Sequence, residues 1–150
     1  VDEFEVFFEE SLDVIVELIN LSRDRLGEAF DENVRHVDEE EVRHEFGSVV
    51  KEDIALNLAA LYKVGVSLEV RNDYAGFIVL EIIGREIAAT LAGEQPEKTL
   101  AEATFHYIDV HTNEIIGGEN AGYDDVVAGI AAGLQCRLPG WDWQEREENL

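Results

Sequence analysis

At 150 residues, 46% of them hydrophobic, the chain is long enough to close one good core and too short for two full domains. Its 34 Asp and Glu against 11 Lys and Arg leave a net charge of −23, which argues against direct nucleic-acid binding, because phosphate contacts need a basic patch and these cations are scattered. No stretch approaches the roughly 18 consecutive apolar residues of a membrane span, since the most hydrophobic run, Phe77 to Ile83, is cut by Glu81 and bounded by Gly76 and Gly84.

The opening VDEFEVFFEE has no basic leader ahead of an apolar run, so no secretory signal is expected. Residues 2 to 30 predict one long amphipathic helix, because Phe4, Phe8, Leu12, Ile15, Ile19 and Leu26 recur close to the helical period with acids between them. The segment DENVRH, residues 31 to 36, breaks this pattern. Asp38 followed by Glu41 then resembles a capping box, and a second helix is expected to carry the stripe Val42, Phe46, Val50, Ile54, Leu58 and Leu61 to about Tyr62.

From Val64 the pattern turns to alternation: Val66, Leu68 and Val70 are separated by Ser67 and Glu69, ahead of Asn72-Asp73. A hairpin is the preferred reading, pairing Val70 with Ala75, Leu68 with Phe77 and Val66 with Val79, and then a short helix. The rival is one helix from Asp73 to Ala92. GEQPEK, residues 93 to 98, is a break, with Gly93 ending one helix and Pro96 opening the next turn. TFHYIDVHTNEIIGG predicts a second hairpin, with Phe105, Tyr107 and Asp109 on one face and His106, Ile108 and Val110 on the other. A last helix is expected over about Tyr123 to Leu134, after the GGENAG loop. The fold class read from this order is α+β: two N-terminal helices packed with an antiparallel sheet of two β-hairpins and a C-terminal helix, as a single domain over 1–138 with an aromatic and acidic tail over 139–150.

Candidate sites are few. His36, Glu40, Glu41 and His44 stand at spacings that bring imidazoles and carboxylates to one side of a helix, and Glu41 to His44 is one ExxH. A carboxylate-bridged metal bundle needs a second ExxH, which the sequence lacks. A solvated charged face is therefore the preferred reading, with no metal and no cofactor. His106, Asp109 and His111 lie close enough in sequence to act as acid and base, but nothing around them would position a substrate. Cys136 stands alone, which excludes an intramolecular disulfide and a cysteine-rich zinc site and suits a reducing compartment. Ala128, Gly129, Ala132 and Gly133 leave a nearly bare helix face, open to close approach by a neighbouring element or by another subunit. Trp141 and Trp143 follow a Pro-Gly turn and suit interface anchors.

The charge completes the reading. Only Lys51, Lys63 and Lys98 stand beside eight arginines, while carboxylates run from Asp2 to Glu148. Lysine depletion with dispersed acids fits a halophilic protein, whose self-repulsion is screened by abundant ions. The expectation is a non-enzymatic structural or interaction protein, a subunit of a cellular complex or virus particle, cytoplasmic or virion-borne in a salt-rich environment. Its partners would be other proteins or its own copies, without direct nucleic-acid or membrane contact. The alternatives are a metal-dependent enzyme built on the His/Glu cluster and an acidic inhibitor that imitates nucleic acid.

Overall fold

A computed structural model describes residues 2–31, 33–71, 74–93, 97–115 and 121–140. The first amphipathic stripe folds as a helix, α1, over Asp2–Phe30, burying Phe4, Phe8, Leu12, Ile15 and Ile19. Asp38 then caps α2, Glu39–Val49: its side chain accepts from the Glu41 backbone N–H at 2.9 Å, and Glu41 accepts in return from the Asp38 backbone N–H. Phe46 stacks on Phe8 with ring centroids 3.8 Å apart, which ties α2 to α1.

The second helix does not continue to Tyr62. It stops at Val49, turns through residues 50–54, and restarts as α3 over Ala55–Arg71. A strict i+4 stripe walks around a helix by about 40° per step, so Val42 and Leu58 would end on opposite sides of one continuous cylinder. The turn resets the phase, and Val42, Phe46, Val49, Ala55 and Leu58 all become buried.

The α+β assignment is corrected at this point. Among the described residues the fold is all-α, with six helices and no sheet: α4 is Tyr74–Ala92, α5 is Glu97–Ile115 and α6 is Ala121–Arg137. The first expected hairpin falls on the end of α3 and the start of α4, and the rival single helix forms over Tyr74–Ala92. In α3 the described burial follows Ala55, Leu58 and Gly65, while Val66 is half-buried and Val64 stays 47% exposed. In α4 the described buried positions include Leu80, Gly84, Ile87, Ala88 and Leu91, a helical repeat. Gly93, at φ 88°, ends the helix with its N–H on the Ala89 carbonyl, as expected for a glycine stop.

The second expected hairpin is α5. A strand would put Phe105 and Ile108 on opposite faces, whereas both are fully buried together with Ala101 and Thr104. Burying a phenylalanine and an isoleucine on one side favours the helix by about 1.5–3 kcal/mol for each residue. That outweighs the weak strand propensity of a short aromatic and β-branched run.

Helix α6 is the centre of the molecule. Each residue from Asp125 to Cys136 is buried, and α1 to α5 all pack around the helix. A helix enclosed on all sides has no need of an amphipathic stripe. Its small residues set the contact with α4: a Cβ added to Gly84 would fall 2.5 Å from the Asp125 carbonyl oxygen, and one added to Gly129 would overlap the Gly84 carbonyl. The Asn72-Asp73 turn, Pro96, most of the GGENAG loop and the tail from Trp141 lie outside the described residues.

Candidate functional site

The most elaborate polar arrangement among the described residues is an arginine clamp at the carboxyl end of α6. Arg23 continues the buried stripe of α1, four residues after Ile19, and its side chain is fully buried. Its Nη1 donates to the carbonyls of Arg35 and Pro139, both at 2.7 Å, and its Nη2 to those of Leu138 at 3.1 Å and Gln135 at 3.3 Å. The last carbonyls of a helix lack intrahelical partners and carry partial negative charge, so one planar guanidinium satisfies the end of α6 and the linker before α2 together. Burial pulls the Arg23 pKa down to about 10, with the nearby Arg35 charge adding to the effect. The side chain therefore remains a cation at neutral pH.

The same junction is pinned from both sides. Asn20 exchanges two hydrogen bonds, each 2.9 Å, with the backbone of Val37. The Arg35 backbone N–H donates to the Gly140 carbonyl at 3.1 Å. Gly140 holds φ 114°, and a Cβ there would lie 2.8 Å from Arg23 Nη1, so both backbone conformation and space call for glycine. Beside the clamp opens a cleft of about 610 Å³ lined by Arg23, Asp24, Arg25, Glu28, Asp31 and Asn33 among others. It holds charges of both signs.

A second arginine joins three further elements. Arg137 donates to Glu45 of α2 at 3.0 Å, to Glu52 in the turn after α2, and to the Leu91 carbonyl at the end of α4 at 3.0 Å. Burial pulls its pKa down, but the hydrogen bonds it donates to Glu52 and Glu45 outweigh that and raise it.

The residues singled out as metal candidates are dispersed. Glu41 is held by Arg35 in a bidentate pair at 2.9 Å, which lowers its pKa, and also serves the α2 cap. His36 sits in the linker with Nε2 2.7 Å from Asp24. Glu40 and His44 are exposed on α2. No group of three His, Cys, Asp or Glu suited to a metal occurs among the described residues. His106 lies on α5 with Nδ1 3.9 Å from Glu81 of α4. Ala128, Gly129, Ala132 and Gly133 are buried, and the two glycines lie directly against α4 of the same chain. Trp141 and Trp143 lie outside the described residues.

Cys136 is buried, with Sγ 3.4 Å from the Ala132 carbonyl, and burial pushes its pKa up to about 12 from 9.0. The folded thiol should resist alkylation by iodoacetamide at pH 8 and react once the chain is unfolded in urea. The unfolded thiol ionises above about pH 9 while the folded one stays protonated, so stability is lost between about pH 9 and 12, and a urea titration of Cys136→Ala should show a shallower alkaline decline over that window.

Sequence reasoning missed Arg23, Asn20 and Arg137. A signal was present for Arg23, because a charged residue in phase with Phe8, Leu12, Ile15 and Ile19 must either break the stripe or be buried with partners.

These features define an all-α domain whose buried central helix is enclosed by five others and fastened by arginines. The chain belongs to the family described as a domain of unknown function (DUF7984), which it matches over residues 1–150. No curated protein and no solved structure matches it. No helix among the described residues is long and apolar enough to cross a membrane.

Proposed function

We propose that this domain is a non-catalytic interaction or assembly module that works in concentrated salt. The observation that carries the reading is the placement of charge. Exposed carboxylates cover the outer faces of several elements, from Glu9, Asp13 and Glu17 on α1 through Glu39 and Glu40 on α2 to Glu81 and Glu86 on α4, and Asp125 is the one buried carboxylate among the described side chains. Meanwhile Arg23, Arg35, Arg43 and Arg137 are engaged inside the chain, by carbonyls or by carboxylates. Cover of this breadth fits general salt adaptation better than imitation of a nucleic-acid backbone, which would concentrate acids in rows on one face. The dispersal of His36, Glu40, Glu41 and His44 likewise disfavours the metal-enzyme reading.

Trp141 and Trp143 are assigned as contacts to a partner, in a salt-rich cytoplasm or a particle assembled there. Thermal melts in KCl test the salt reading: screening of self-repulsion should raise the midpoint steadily from about 0.1 M to 3 M. A midpoint that falls or stays level counts against it. Light scattering in the same buffers tests assembly, with truncation after Gly140 chosen because it spares the carbonyls that Arg23 and Arg35 hold. A strict monomer, indifferent to that truncation and without a protein partner, would leave the assembly reading without support.

A further inference from the structure

One face of α1 and one residue of α3 make a small apolar groove whose rim is acidic. Glu3, Val6, Phe7 and Glu10 follow the i, i+3, i+4, i+7 spacing of a single helix face, and Tyr62 of α3 forms the opposite wall of a hollow of about 340 Å³. Phe7 and Tyr62 meet there, with ring centroids 4.9 Å apart. Val6 is 56% exposed at its lip, beside the exposed Glu3, Glu9 and Glu10. The hollow is at the small end of ligand-binding cavities and has room for a leucine- or phenylalanine-sized side chain. Glu3 and Glu10 are both exposed and flank the hollow along the helix axis.

We propose that this groove docks a segment of a partner protein that inserts one apolar anchor and places a Lys or Arg on each side of it, against Glu3 and Glu10. The proposal rests on the interaction-module reading and gives it a partner chemistry. Charge selects the occupant. A symmetric contact between two copies would present the same patch to itself, apposing Glu3 and Glu10 with carboxylates of a second molecule that also carries −23. Salt does not remove this preference, because at 1 M the Debye length is still about 3 Å, so charges in direct contact remain coupled while distant ones do not. Apolar anchoring is insensitive to that screening. Recognition in brine therefore falls to an anchor with adjacent ion pairs, which is what the groove and its rim provide.

The test uses the whole chain in about 1 M KCl, where long-range attraction of any basic peptide is screened. The probe is a synthetic helical peptide with one leucine flanked by lysines, with two controls: the leucine replaced by alanine, and the lysines replaced by glutamate. The parent peptide should bind and shift the amide resonances of Val6, Phe7 and Tyr62, and each control should bind about tenfold more weakly or worse, the scale of losing one anchor. Val6→Asp, at an exposed position that leaves the core intact, should cause a similar loss, and Glu3→Lys/Glu10→Lys should reverse the preference between lysine and glutamate flanks. Equal binding of the controls, shifts confined to another surface, or no binding by the folded protein would overturn the proposal. A wild-type dimer dissolved by Val6→Asp would also overturn it, by making a second copy the occupant. Failure of the peptide in a protein that still responds to salt and still assembles through residues after Gly140 removes the groove alone, whereas loss of those responses removes the broader reading.

Discussion

Arg23→Met should lower stability by about 3–5 kcal/mol, the scale of leaving two or more buried carbonyls without a donor. Methionine fills most of the volume, so packing is not the main term. The carbonyls of Gln135 and Leu138 would lose a charged donor in the buried part of the junction, and those of Arg35 and Pro139 in its partly buried part; a buried carbonyl without a partner costs about 1–3 kcal/mol. Arg23→Lys keeps the charge but has neither the reach nor the planar fork to serve carbonyls from two directions, so an intermediate loss is expected. Arg43→Ala is the control. It breaks the pair with Glu9, in which both side chains are about half exposed, and should cost little by comparison, because solvent screens such a pair. Urea midpoints at constant KCl measure all three, and hydrogen exchange should show residues 33–38 and 138–140 opening first in the Arg23 variants. Equal losses for Arg23→Met and Arg43→Ala would mean that the clamp contributes no more than a surface pair.

Legibility in the sequence followed the length of each periodic signal. The stripe of α1, from Phe4 to Leu26, repeats over about six turns, and Asp38 with Glu41 encodes a local hydrogen-bond exchange that needs no tertiary context, so both were readable. The alternation in Val66, Leu68 and Val70 spans only five residues, and a segment that short also satisfies part of a helical repeat. What settled it is tertiary: α6 needs helical walls on every side, and α3, α4 and α5 supply them. Phe105 and Ile108, three residues apart, carry the distinction between helix and strand, and their common burial could be read only with the central helix in place.

The polar junction was harder to see for a different reason. Carbonyl oxygens have no identity in a sequence, so an arginine that binds four of them leaves no paired carboxylate to look for. His36, Glu40, Glu41 and His44 attracted attention because their residue types are those of metal sites. Their real partners, Asp24 and Arg35, come from outside that spacing pattern. The bare face of α6 was visible as Ala128, Gly129, Ala132 and Gly133. Whether another helix or another molecule would use it depended on α4 being a helix at all.

Gly129→Ala should destabilise by about 2 kcal/mol net, even though alanine normally improves a helix by about 1 kcal/mol. Overpacking typically costs 1–3 kcal/mol, and this site belongs at the upper end because the obstacle is backbone. The added Cβ would overlap the Gly84 carbonyl oxygen and lie 3.1 Å from both its carbon and its Cα. No rotamer change can clear that contact, so α4 and α6 must separate along a seam that includes Gly133 against Leu91 and the Ala88 carbonyl. Gly129→Leu should prevent folding. Gly47 in α2 supplies the contrast, since a Cβ there would meet nothing within 4 Å and its φ is not positive. Gly47→Ala should therefore stabilise by about 1 kcal/mol through helix propensity alone. Opposite signs for the same substitution at two helical glycines, read from urea midpoints, would place the close crossing of α4 and α6 in the folded molecule. A stabilising Gly129→Ala would mean that the two helices do not meet at Gly84.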